Sequence, residues 1–258
     1  MSEKIMPQNM SDGFVSANAL PLVKFEGVDI VNEDNLILSD VTFSVGRGEL
    51  VYLVGKVGSG KSSILKTINA ELPVTKGKAR VGDYDLSKLK GRQIPFLRRN
   101  IGVVFQDFQL LADRSVEDNL MFVLKATGWK DEQKMKERCI QVLEMVDLKT
   151  KAHKMPHQLS GGEQQRVAIA RSLLISPDVV LADEPTGNLD SETADGIMAL
   201  MMKIHHDYRP AIIIVTHNRI IIDRYPGRVL LCKDGRCKEV TNEVNTFRAE
   251  NLKEDMPM

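Results

Sequence analysis

The sequence has no apolar run approaching the roughly 18 to 20 residues that a membrane-spanning helix needs, and residues 1–20 lack the apolar core of a signal peptide. The chain is therefore expected in the cytoplasm, with any membrane contact made through protein partners. Neither sign of charge prevails, since 35 lysines and arginines balance 35 aspartates and glutamates. No one-sided field favours wrapping nucleic acid. Cysteine is scarce and odd in number: Cys139, Cys232 and Cys237 show no C-x-x-C metal spacing, which predicts free thiols. Cys232 and Cys237 could face each other across a hairpin and are read as reduced neighbours. No internal repeat and no low-complexity run interrupts the chain. What remains is 258 residues of which 43% are hydrophobic, enough for the core of one large α/β domain or two small ones.

Residues 1–21 are polar and aperiodic and read as a flexible tail, as does the charged segment 241–258. From Leu22 the pattern is β-type, with Leu22 to Phe25 and Val41 to Val45 as strands, and it leads as an antiparallel sheet into the apolar run Leu50 to Val54. The helix after Ser62 carries Ile64, Leu65 and Ile68 on one side and is expected to end at Pro73. Gly77 to Leu86 looks like a hairpin. After the strand Ile101 to Phe105 the pattern becomes helical from about Phe108 to Met155, with an amphipathic stretch from Lys134 to Val146, and residues 107–157 are read as an inserted helical subdomain. Beyond Pro156, helices alternate with the strands Val179 to Ala182 and Ala211 to Val215, and a last hairpin turns at Asp234-Gly235. The fold class is α/β, a mostly parallel sheet flanked by helices with an antiparallel β-subdomain and an inserted helical subdomain.

Gly55-Lys56-Val57-Gly58-Ser59-Gly60-Lys61-Ser62 matches G-x-x-x-x-G-K-[ST] between a strand and a helix, and Ser63 follows it. Such a turn aims several backbone N–H groups at one point, where the helix dipole adds positive charge, so it reads as a phosphate-binding loop. Lys61 is placed for the β- and γ-phosphates, and the Ser62 hydroxyl for Mg²⁺. Val179 to Ala182 ends in Asp183 and Glu184, where a phosphate-loop protein carries its cation-holding aspartate. Glu184, one residue on, can orient and deprotonate an attacking water. Leu159-Ser160-Gly161-Gly162-Glu163-Gln164-Gln165-Arg166 opens a helix with small residues and supplies a second anion site. A nucleotide has a single γ-phosphate, so two such sites in one chain suggest two chains head to tail, each covering the other's nucleotide.

These stretches resemble the motifs of the ATP-binding-cassette (ABC) ATPases, and the resemblance runs from about residue 22 to 240. It implies ATP hydrolysis with Mg²⁺ and a homodimer of ATPase domains. It places Gln106 as the residue linking Mg²⁺ and nucleotide to the helical subdomain, Asn188-Leu189-Asp190 as the D-loop, and His217 as the contact to the γ-phosphate. Ser160, Gly161 and Gly162 would cap the nucleotide of the opposite chain. Gln106 to Val116 and Ala182 to Asp190 are similar to the cell-division branch of the family, whose relatives include lipoprotein-release (LolD) and efflux (MacB) ATPases. That branch implies an integral membrane subunit, an FtsX-like permease, and a place on the cytoplasmic face of the inner membrane. Phe108, Leu110 and Leu111 are candidate anchors for such a subunit, or else subdomain core.

In one respect the sequence departs from the family. An aromatic residue usually stacks on adenine from just upstream of the phosphate loop, and here that place falls on Val31, so weak base selectivity is expected. Phe14 could supply the ring instead. Lys88, Lys90, Arg92, Arg98 and Arg99 form a basic cluster read as solvated surface rather than a membrane contact. His153 and His157 have a metal-like spacing that Pro156 spoils, and His205 and His206 point to different helix faces. A soluble ABC protein acting on nucleic acid or ribosomes is the reading from another class. The single cassette and balanced charge disfavour it. A module that grips ATP without turnover would need Glu184 or His217 damaged, and both are intact.

Overall fold

The computed structural model describes residues 20–241. The expected tails and the proposed role of Phe14 lie outside them, apart from the innermost tail positions. Two strands, β1 (Val23–Asn32) and β2 (Asn35–Val45), form a hairpin that precedes β3 (Leu50–Val54) and α1 (Lys61–Ile68). There follow β4 (Lys76–Val81), β5 (Tyr84–Asp85), α2 (Ile94–Arg98) and β6 (Ile101–Val104). The helices α3 (Val116–Ala126), α4 (Glu132–Met145) and α5 (Gly161–Leu173) come next. The chain closes with β7 (Val179–Asp183), α6 (Ser191–Tyr208), β8 (Ala211–Val215), α7 (Arg219–Arg224), β9 (Arg228–Lys233) and β10 (Arg236–Glu239).

Four strands make an antiparallel sheet in the order β2-β1-β4-β5, where Phe25 and Phe43 pair across β1 and β2 and stack with ring centroids 4.9 Å apart. The other six run β10-β9-β3-β8-β7-β6, all parallel except the terminal hairpin. Strands buried on both faces read as continuous aliphatic runs, and β8, Ala-Ile-Ile-Ile-Val, is buried at every position. The two-residue side-chain period divides the core between its faces. Val51, Leu53 and Ile213 pack with Val23, Phe25 and other residues of the antiparallel sheet. Tyr52, Ile212 and Ile214 pack with Leu120, Leu124 and Val142 of the helices.

Local expectations hold for most elements and fail at some ends. The helix after Ser62 stops at Ile68, ahead of Pro73, with Ala70 in the left-handed region. Arg98 donates to the carbonyls of Asn69 (3.0 Å) and Ala70 (3.4 Å) there, satisfying acceptors that a helix end leaves open. Arg98 is thus a cap that is also exposed, as are Lys88, Lys90 and Arg92, in keeping with a solvated basic surface, while Lys88 pairs with Asp85 and the partly buried Arg99 lies over the Phe96 ring. The stretch after Gln106 is not helical until Val116, where Ser115 caps α3 by accepting from the Asp118 N–H. Cys232 and Cys237 are direct cross-strand neighbours in β9 and β10. Cys139, Cys232 and Cys237 are all free and buried, and burial pushes the Cys139 thiol up to about 12.

Candidate functional site

The phosphate-loop residues leave the carboxyl end of β3, an interior strand between β9 and β8, at the sheet edge where open α/β folds bind ligands. Gly55 has φ 143°, and a Cβ there would sit 2.2 Å from the Cys232 carbonyl oxygen of the adjoining strand. Gly60 caps α1 with φ 97°, and its Cβ would meet Leu38 and Ile37 at 2.8–2.9 Å. The loop is thus wedged between β9 on one side and the β1–β2 hairpin on the other, and only glycine fits at either wedge. Lys61, buried at the head of α1, donates across the loop to the carbonyls of Gly55 (2.8 Å) and Lys56 (2.7 Å). Ser59 Oγ is buried without a hydrogen-bond partner, a cost that a bound polar group would remove. Val57 stands fully exposed at the loop tip.

β7 and β8 run side by side with Asp183 opposite Val215. The chain leaves β7 through Glu184, held at φ 48° with its N–H donating to the Val215 carbonyl (3.0 Å). That turn carries the largely buried Glu184 carboxylate to 2.6 Å from Nδ1 of the exposed His217. The His217 turn is itself fixed locally. The Thr216 N–H donates to the Leu53 carbonyl, the Thr216 hydroxyl accepts from the Asn218 N–H, and Asn218 caps α7. A carboxylate and an imidazole therefore stand together on the same sheet edge as the loop.

Gln106, just past β6, is joined reciprocally to Asn188: its amide donates to the Asn188 side-chain oxygen, and the Asn188 amide donates to the Gln106 carbonyl, both at 3.1 Å. Asp190 caps α6 through the Thr193 N–H (3.0 Å) and hydroxyl (2.6 Å). Ser160 and Glu163 form a reciprocal capping box on α5, in which Lys151 also binds the Glu163 carboxylate. The Lys151 ammonium, then the Ser160 N–H, hold that carboxyl below its usual range. Ser160, Gly161 and Gly162 thus form the N-terminus of a helix of 13 residues, with Leu189 beside Gly161. Val31 lies opposite the exposed Leu36 near the tip of the β1–β2 hairpin, next to the two residues that wedge Gly60.

A nucleotide's phosphates fit these residues on two observations, the unpartnered Ser59 hydroxyl and the glycine-lined cradle. Among the described residues no group of three His, Cys, Asp or Glu side chains could hold a metal ion alone. The Ser62 hydroxyl and the Asp183 carboxylate are hard oxygen donors, and a cation held by so few protein groups needs phosphate and water for the rest, as Mg²⁺ accepts.

A groove of about 460 Å³ borders the stretch from Phe108 to Phe122, where the sequence suggests one, and its wall also includes Ile101, Val103, Val123 and Arg171, which the sequence does not single out. Of the anchor candidates, Leu111 lines it, whereas Leu110 packs against the core and the Phe108 carbonyl is bound by Arg171. A run of apolar residues after Gln106 was the available signal, but facing could not be assigned where the backbone is irregular.

The ABC transporter family profile matches residues 38–187. The chain is similar to the cell division ATP-binding protein FtsE of Bacillus subtilis, at 44% identity over 198 residues, covering 77% of this chain and 86% of that one. It is 44% identical over 199 residues to FtsE of Mycobacterium tuberculosis, with the same coverage. A methionine import ATP-binding protein, MetN 2 of Salmonella typhimurium, is 39% identical over 210 residues, covering 81% of this chain and 62% of that one. Among solved structures, the dimeric bacterial ABC transporter cassette MJ0796 superposes with a TM-score of 0.73 at 32% identity, over 84% of this chain and 98% of that one. The same cassette in a post-hydrolysis state with ADP and phosphate gives 0.73 at 33% identity.

Proposed function

The chain belongs to the ABC transporter family, and from that premise we propose that it is the FtsE-like, ATP-hydrolysing subunit of a membrane complex. It is an ABC ATPase, with residues 22–240 as the ATPase domain and 107–157 as its helical subdomain. The observation that carries the chemistry is the Glu184–His217 contact of 2.6 Å at the edge that also bears the phosphate loop. In this reading the N–H groups of Gly55 to Ser62, with Ser63, and the Lys61 ammonium bind the phosphates. Ser62, Asp183 and Gln106 would hold Mg²⁺, which when bound neutralises phosphate charge. Glu184 orients a water and takes its proton as the water oxygen bonds to the γ-phosphorus. The bond to the β–γ bridging oxygen breaks, and ADP and phosphate leave. His217 contacts the γ-phosphate and keeps the Glu184 carboxylate aimed.

The dimeric cassette structures support a homodimer in which Ser160, Gly161 and Gly162 of one chain cover the nucleotide of the other. The likeness to FtsE proteins supports a cell-division role, an FtsX-like permease as partner and a position on the cytoplasmic face of the cell membrane. No helix among the described residues is long and apolar enough to cross a membrane. Glu184→Gln tests the chemistry: it should bind ATP, lose hydrolysis and double its mass in light scattering with ATP and Mg²⁺. A variant that binds ATP yet stays monomeric overturns the assignment of Ser160 to Gly162. Co-purification from membranes with a tagged chain tests the permease.

A further inference from the structure

Two adjacent residues after Gln106, Phe108 and Gln109, have φ of 60° and 47°. Successive non-glycine residues in the left-handed region are held there only where surrounding contacts over-determine them. The contacts are supplied from α5. Arg171, half-buried, donates through one terminal nitrogen to the Phe108 carbonyl (2.9 Å) and through the other to the Gln109 carbonyl. The planar guanidinium presents two parallel donors on a rigid fork, a geometry that an ammonium cannot reproduce. Burial pushes the pKa of the Arg171 guanidinium down from the ordinary value, and the Asp107 carboxylate opposes that. Arg171 also forms part of the groove wall with Gln109, Leu111 and Phe122. The same guanidinium therefore touches the groove and the backbone that follows Gln106, on the helix that Ser160 begins.

We propose that Arg171 is a positioning residue for Gln106: by clamping the Phe108 and Gln109 carbonyls it fixes the direction in which the chain leaves Gln106, and so sets how far the Gln106 amide, bound here to Asn188, can reach toward the nucleotide site. This rests on the role of Gln106 proposed above. It needs no new chemistry, only transmission through two hydrogen bonds and two peptide units.

The test is a double-mutant cycle in the full chain. Arg171→Met should lower kcat about tenfold with KM for ATP changed less than twofold, and Arg171→Lys should recover part of that loss. In a Gln106→Ala background, Arg171→Met should cost less than a further twofold, since the group it positions is gone. Amide exchange at residues 106–111 should quicken in Arg171→Lys with the rest of the chain unchanged, a readout that does not depend on turnover. If Arg171→Met costs its full tenfold in the Gln106→Ala background, or exchange quickens throughout the chain, the residue is structural and the proposal falls. If Gln106→Ala alone leaves kcat unchanged, the role given to Gln106 falls, and this proposal with it. The two failures are told apart by that single variant.

Discussion

Gly55 and Gly58 share one loop and a positive φ, yet their surroundings differ. A Cβ on Gly55 would collide with backbone at 2.2 Å, whereas nothing lies within 4 Å of one on Gly58. Gly58→Ala should therefore cost only the conformational term, about 1–2 kcal/mol. Gly55→Ala should displace β9 from the loop and abolish nucleotide binding, and calorimetric titration with denaturant unfolding on both variants separates the two. Val31 poses the opposite case if the base lies there, as the family resemblance suggests. The aliphatic pair there, Val31 and Leu36, would give a base contact area but no ring. Stacking on an aromatic side chain is worth about 1–3 kcal/mol, so Val31→Tyr should tighten ATP and GTP alike by about tenfold, or ~1.4 kcal/mol. Wild type should distinguish the two nucleotides poorly. A strong preference for ATP in wild type would place base recognition elsewhere.

At the scale of elements, α5 depends on its first turn. Glu163 is held ionised by Lys151 and the Ser160 N–H, so its folded value lies below that of the unfolded chain. The sign follows: this contribution to stability is complete above the unfolded carboxylate value, near 4.3, and is lost as pH falls through the depressed folded value. Lys151→Ala should move the Glu163 titration, followed by carboxyl NMR shift, upward towards the ordinary value. Ser160→Ala should destabilise the chain by about 1 kcal/mol through loss of the cap. The groove wall gives a second element-scale expectation. Phe122 is 44% exposed beneath the Arg114 guanidinium, 4.6 Å from its ring centroid. It lines the groove with Ile101, Val103, Leu111 and Val123, and it is such a contiguous apolar surface, rather than one exposed ring, that suits a partner. Phe122→Asp should cost no more than about 1 kcal/mol of stability yet release the chain from membranes in a flotation assay. Retention on membranes would remove the groove from the partner interface.

Across the whole molecule both sheets share one core with α1 and α2, and α3 to α7 pack on the other face of the parallel sheet, so nucleotide bound at the sheet edge should stabilise all of it together. Glu184→Gln at a hundredfold excess of Mg-ATP over Kd should gain about 2.7 kcal/mol. For a chain of this size that raises Tm by about 5–10 °C in a single transition, and calorimetry would reveal a split if the helices melted apart. The phosphate loop, the Asp183-Glu184 strand end and the Ser160 cap were legible in the sequence because each is contiguous, whereas His217 was singled out only by the family resemblance. A turn, a cap or an interior strand is dictated by neighbours a few residues away, through glycine's freedom, side-chain capping and the two-residue period. Tertiary structure alone decided which of them meet. Glu184 reaches His217 because β7 and β8 are adjacent with Asp183 opposite Val215. Gln106 binds Asn188, and Arg171 clamps Phe108 and Gln109, across separations that local pattern does not constrain. Strand order and register come from crossovers and shared core packing, and they determine which contiguous motifs become one site.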